Sequence, residues 1–293
     1  MVQCAHHHSQ YVYHACAYGL SGHLERPFQH IIPTQAATVL GRNGGRGHDH
    51  VENFQVERII SFDSAFVEVG GSFDPCHNRH TSFACSIIEK LNILDVVTAD
   101  RVVSRMAIYS AKEGERDGEP TFDITGSHFE NLKIAGHRVD VKLATHVFHE
   151  HDTHSKVAKA HQANKLDDWL LGSKLGKLSD RELGELEETY HALGGMPEVV
   201  KGWKVKGDKR RTDNLTFSPL NHINLEEHTG GKTELLGFGS IICIPKFGIV
   251  RLAELQIDGH QRILTMFQVD MCSTGTGGTS GGSAGGSGGK PGT

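Results

Sequence analysis

Over residues 10 to 148 most apolar side chains recur with period two, in short runs separated by Gly, Pro, Asn and Asp clusters. Successive side chains of a strand point to opposite faces, so this is the pattern of half-buried β-strands. In Arg138-Val139-Asp140-Val141-Lys142-Leu143, three apolar side chains face one way and three charged ones the other. Asn131-Leu132-Lys133-Ile134 alternates too, and Ala135-Gly136-His137 is short enough to close an antiparallel hairpin between the two. Residues 59–69 and 102–109 read as further strands, whereas 86–97 fits a buried strand or a helical turn. Residues 248–257 and 261–271 alternate around Asp258-Gly259, the strongest hairpin signal in the chain.

Residues 151–200 change character. Ser179-Asp180-Arg181-Glu182 is a capping box that predicts a helix start, with Leu183, Leu186, Tyr190 and Leu193 on one face and Gly194-Gly195 as its stop. Residues 155–171 are helix-prone as well. From Ser273 onward the chain is almost entirely Gly, Ser and Thr, which predicts a disordered tail that buries no core. The expected organisation is a flexible stretch over 1–9, one β-rich domain over 10–272 with a helical insertion at about 151–200, and a tail over 273–293. The fold class is mainly β, an antiparallel sandwich or open barrel with an inserted helical segment. Strands of a parallel sheet, buried on both faces, would read as unbroken apolar runs instead.

With 293 residues and 37% apolar content the chain can bury a core. A formal net charge of −5 provides no global basic field for nucleic acid or an anionic membrane surface. No run approaches the length of a membrane span, and Met1 is not followed by a basic then apolar leader. The expectation is a cytoplasmic protein; a processed chain or unconventional export would give the same sequence. Cys4, Cys16, Cys76, Cys85, Cys243 and Cys272 contain no CxxC pair, so neither a zinc ribbon nor a thioredoxin-like motif is present, and mostly buried thiols are expected.

Histidine is the compositional outlier, with 21 residues. His146-Val147-Phe148-His149-Glu150-His151-Asp152-Thr153-His154 concentrates four of them with two carboxylates. Zinc, or another divalent transition metal, takes three or four N, O or S ligands, and His146, His149, His151 and His154 are candidates. On a strand His149 and His151 would share a face; on a helix His146, Glu150 and His154 would. The spacing departs from HExxH, because the second histidine is missing, and the stretch also reads as a polar loop leading into the insertion. Asp74-Pro75-Cys76-His77-Asn78-Arg79-His80 is a second concentration, where Cys76, His77 and His80 suit a metal or a lowered-pKa thiol. Residues 41–50, glycine-rich with two arginines, lack both the P-loop and the dinucleotide-binding spacing and read as a flexible loop, with His48 and His50 as a third, weaker pair.

Thr98-Ala99-Asp100-Arg101-Val102, the run from Gly126 to Gly136, Leu252-Ala253-Glu254-Leu255 and Arg262-Ile263-Leu264-Thr265-Met266 resemble uncharacterised bacterial β-rich proteins. The resemblance implies β structure and no particular activity. Three functions are then expected in order: a non-enzymatic β-scaffold acting in structure, self-assembly or partner binding, with itself as homo-oligomer or another protein as partner; a His-rich divalent-metal-binding protein, extending to a metal-dependent hydrolase; and an assembly that responds to histidine protonation near pH ~6.

Overall fold

The computed structural model describes residues 11–24, 29–110, 118–163, 165–166, 188, 214–225, 236–238, 240–244, 247–259, 261–271 and 277–289. Two antiparallel sheets pack face to face. Strands β1 (Val12–Leu24) and β2 (His30–Val39) form a hairpin in the first sheet, and the chain then crosses to the second. There β3 (Gly45–Val56), β4 (Ile60–Asp74), β5 (Arg79–Ile93) and β6 (Val97–Tyr109) run as a meander. The short strands β7 (Thr121–Asp123), β8 (His128–Glu130) and β9 (Lys133–Ile134) all pair with β6. β10 (His137–Leu143) pairs with β9 through the expected tight turn, and its residues alternate as the sequence predicts, Val139 buried between exposed Arg138 and Asp140.

Helices α1 (Thr145–Glu150) and α2 (His154–Gln162) follow. β11 (Asn214–Phe217) returns to the first sheet beside the later part of β15, while β12 (Leu220–Leu225) pairs with β10 in the second. The first sheet also contains β13 (Leu236–Phe238), β14 (Ile241–Ile244), β15 (Gly248–Asp258) and β16 (Arg262–Met271). β15 and β16 form the hairpin predicted around Asp258-Gly259. The ambiguous stretch at 86–97 resolves into β5, a turn and the start of β6, so a strand and not a helical turn. Of the capping-box helix expected at Ser179 only Glu188 is described, and it is helical; the N-terminal stretch 1–9 lies outside the described residues. The architecture is therefore the sandwich, not the open barrel.

The largest correction concerns the expected disordered tail. Gly277–Gly289 is strand β17, and it lies inside the first sheet, paired antiparallel with β1 on one side and β16 on the other. Its inner face meets β5 and β6 of the opposite sheet. The strand brings almost no side chain of its own, and neighbouring residues occupy the space. A Cβ at position 281 would lie 2.5 Å from Cζ of Phe267, itself buried. Composition argued for a tail because Gly and Ser bury little; the strand instead gains a backbone ladder on each side, interrupted at Gly282, in a slot that larger residues would not enter.

Between the sheets, Ala15, Ala17 and Leu20 of β1 with Leu264 and Phe267 of β16 meet Val67 and Val69 of β4, Ala84 and Ile88 of β5, and Val102, Met106 and Ile108 of β6. Two buried serines are satisfied across the gap: Ser86 donates to the carbonyl of Tyr18 at 2.9 Å, and Ser104 to that of Leu264 at 3.2 Å. Such bonds remove the penalty of burying a hydroxyl.

Candidate functional site

The three polar concentrations singled out in the sequence converge on one end of the sandwich. Strand register shows why. Tyr13 near the start of β1 donates its amide to the carbonyl of Arg42 at 3.0 Å; Gly45 pairs with Gly71, Asp74 with Arg79, Thr81 with Tyr109 and Tyr109 with Thr121. Residues 41–44, the 75–78 turn and the β7–α1–α2 region are thus carried to the same rim. Only 41–44 of the glycine-rich stretch is a loop, since Gly45 through His50 belong to β3, where His50 lies 3.5 Å from Glu52.

At this rim the inner faces carry an aromatic cluster. His80 pairs with Phe73 across β4 and β5, and Tyr11 and Tyr13 approach from the first sheet. The Tyr11 ring stacks on the His80 imidazole with centroids 4.0 Å apart and planes 1° from parallel. The Tyr13 hydroxyl lies 2.6 Å from Nδ1 of His80, and its ring rests over Gly71, where a Cβ would stand 2.7 Å from the ring. Burial pushes the Tyr13 phenol up, and burial with the neighbouring Tyr13 pushes Tyr11 up to about 12. Both phenols therefore stay protonated at neutral pH, and the Tyr13 hydroxyl can donate to Nδ1 or accept from it according to the imidazole tautomer. On the outer face the Arg79 guanidinium covers the Tyr109 ring at 4.1 Å.

His77 turns away from His80. Its Nδ1 pairs with Oδ2 of Asp74 at 2.6 Å, while Oδ1 of Asp74 accepts from the amides of Cys76 and His77. The His77 side-chain bond, with the two amides, holds the Asp74 carboxyl below the usual carboxylate range. Cys76 is exposed, and Cys16 and Cys85 are half-buried thiols that burial pushes up.

The nine-residue histidine stretch is not a polar loop. It forms α1, a three-residue link and the first residue of α2, with Val147 and Phe148 buried against the fold. The break after Glu150 takes His154 off the helix that carries His146 and Glu150. His146 and His149 are exposed, and His151 and His154 are half-buried. His149 Nε2 lies 3.1 Å from Oγ1 of Thr125, whose hydroxyl is 2.6 Å from Oδ1 of Asp123. Because Asp123 also accepts from the Thr125 amide, the hydroxyl donates to the carboxylate and receives from the histidine. A nucleophile needs the reverse, a hydroxyl donating to an imidazole whose other nitrogen is held by the acid. The trio locks a turn.

Glu119 secures α2. It accepts from the amide and hydroxyl of Ser155, the amide at 2.9 Å, beside the Thr153 cap on Lys156. Burial alone would raise the Glu119 pKa, but these bonds outweigh it and hold the carboxyl low. Arg262, at the start of β16, is fully buried; its three side-chain nitrogens have no hydrogen-bond partner among the described residues. Burial lowers its pKa by more than Glu119 and Asp258 restore.

The two histidine clusters do not form one site. In the register Asp123 stands opposite Ala107 and Ala107 opposite Phe83, two strand spacings and three residues from His80, or roughly 14 Å. Among the described residues no three of His, Cys, Asp and Glu are grouped to hold a metal ion. Sequence reading missed Tyr11, Tyr13 and Phe73, although the alternating Tyr-Val-Tyr could have marked two aromatic rings on one face.

No helix of the described residues is long and apolar enough to cross a membrane. No curated protein and no solved structure matches the chain. A family match takes in every strand from β1 to β15 and stops before β16 and β17. Matching that family over residues 11–258, the chain belongs to the family described as Domain of unknown function (DUF8256).

Proposed function

We propose that this protein is a non-enzymatic β-scaffold that works by protein binding, and that the aromatic end of the sandwich is its contact surface. The observation that carries this reading is Phe73, 40% exposed although it sits on the inner face of β4 beside His80. Val39, 68% exposed, ends β2 at the same rim. A large apolar side chain left in water beside stacked rings, as Phe73 is, is what a partner covers. Strand addition at the β2 edge is a poorer route: Pro33 interrupts the donors there, and Asp49 of β3 accepts from the amide of Ala37 at 2.8 Å.

A second copy is the partner to test first. Sedimentation velocity over a hundredfold concentration range should show reversible association that Phe73→Glu weakens at least tenfold. A wild-type protein that stays monomeric, with Phe73 unprotected from oxidative surface labelling in its native extract, removes the reading. Metal binding is the second reading; it rests on the His77–Asp74 pair at 2.6 Å with exposed Cys76 in the same turn, donors that would have to regroup to close on an ion. Metal content of protein purified without nickel tests it: about one ion per chain, lost in His77→Ala, supports it, and metal-free folded protein ends it.

A further inference from the structure

Away from the histidine end, the outer face of the second sheet carries a cavity of about 500 Å³. Four strands contribute one row of side chains to it: Asn92 pairs with Thr98, Thr98 with Lys133, and Lys133 with Arg138. Directly paired residues of antiparallel strands project to the same face, so Lys133 and Arg138 stand side by side. Both are exposed, and neither has a carboxylate within ion-pair distance among the described residues. Like charges directly opposite one another destabilise a sheet, and here they occupy a hairpin only a few residues long.

The nearby acid relieves them only in part. Oδ1 of Asp100 accepts from Nζ of Lys90 at 2.7 Å, and Oδ2 accepts from Nδ2 of Asn131 at 2.5 Å. Asp100 also feels Lys133 electrostatically, but it is the single acid among three cations, Lys90, Lys133 and Arg138, so the described lining of the cavity keeps a surplus of two positive charges. Asp140, the next outward residue on β10, makes no ion pair with either. Leu91 and Ala99 border the cavity through their backbone, their side chains being buried in the core, and Thr98 lies in the same row as the two cations.

We infer that this groove binds a compact tetrahedral dianion, the phosphate group of a small molecule, between Lys133 and Arg138. A surplus of two positive charges in the described lining matches a dianion, and a phosphate monoester carries close to two negative charges at neutral pH. A carboxylate would leave one cation uncompensated. The volume exceeds what an inorganic ion fills and lies in the range of small-ligand sites, so the anion is the head of a larger polar molecule. This inference is independent of the aromatic end and does not depend on its role.

The test titrates the full chain with inorganic phosphate, sulfate, acetate and glucose 6-phosphate at constant ionic strength, following amide signals of Thr98, Lys133 and Arg138. Saturable shifts with phosphate and sulfate, at least tenfold weaker with acetate, are expected. Tighter binding of glucose 6-phosphate than of phosphate identifies an ester as ligand; equal binding identifies the free ion. Lys133→Gln and Arg138→Gln should each lower affinity at least tenfold, Lys133→Arg should retain it, and Lys142→Gln, one of the other cations of β10, should leave it unchanged. The glutamine variants remove a repulsion, so their Tm should not fall, which separates lost binding from lost folding. Shifts that never saturate, that chloride reproduces, or that survive in Lys133→Gln would overturn the inference.

Discussion

Replacing Gly281 by Ala asks directly whether the glycine-rich strand occupies the slot between β1 and β16. A Cβ there would stand 2.5 Å from Cζ and 2.8 Å from Cε1 of Phe267, and 3.0 Å from the carbonyl oxygen of Gly19. Ordinary contact begins at 3.4 Å, so the ring must retreat by about 0.9 Å. Phe267 is 2% exposed, which leaves it no solvent to move into. Overpacking of this kind costs about 1–3 kcal/mol, against the few tenths by which Ala otherwise improves on Gly in a strand. For a domain of this size the loss corresponds to a Tm lower by roughly 2–4 °C per kcal/mol. Urea unfolding of Gly281→Ala, Phe267→Leu and the double variant measures the coupling. The smaller Leu should absorb the added methyl, so the double variant should be more stable than the sum of the single effects by at least ~0.5 kcal/mol. Gly259→Ala, where nothing stands within 4 Å of the added Cβ, is the control and should change stability by less than ~0.5 kcal/mol. A Gly281→Ala variant as stable as Gly259→Ala would show that 277–289 is not in the sheet.

Glu119→Ala should cost about 1 kcal/mol through loss of the α2 cap and speed hydrogen exchange at the Ser155 amide; unchanged exchange there would contradict the capping role. Arg262→Met should be neutral or stabilising by about 1–3 kcal/mol in urea, because it removes a buried charge whose nitrogens have no hydrogen-bond partner among the described residues; a clear loss would mean the guanidinium is satisfied in solution. Tyr13→Phe should cost about 1 kcal/mol by removing the bond to His80, and an unchanged urea midpoint would dismiss that bond as a stabilising contact. Asp74, Asp100 and Glu119 are held below their ordinary values of 3.8, 3.8 and 4.5, so each contributes stability that is full above those values and is lost as pH falls through the lowered folded value. Tm should therefore drop on acidification below about pH 5, less steeply in Glu119→Gln; a flat profile down to pH 3 would contradict the shifts.

Strands whose two faces differ were legible before any coordinates, and β10 and the β15–β16 hairpin show why: one face meets the core, so alternation is written into residue type. β17 was illegible for the complementary reason. Its place is specified by Phe267 on the neighbouring strand, and a run of Gly, Ser and Thr has no alternation to read. α1 escaped because adjacent Val147 and Phe148 bury together without a repeating face over only six residues. At the candidate site, residue types identified the polar rim but not its pairings. His77 chose Asp74, His80 chose Tyr13 and His149 chose Thr125, and these partners lie up to 67 residues apart in sequence.

The pairing of Val12 with Gly289 has a consequence for synthesis. At about 5–20 residues per second, on the order of 15 to 55 s separate the emergence of the two partners. During that interval the β1–β2 hairpin exists with one side of β1 unmatched, a template for any other extended chain nearby. The last strand to arrive closes it, and it does so with the segment least able to form sticky contacts of its own while it waits.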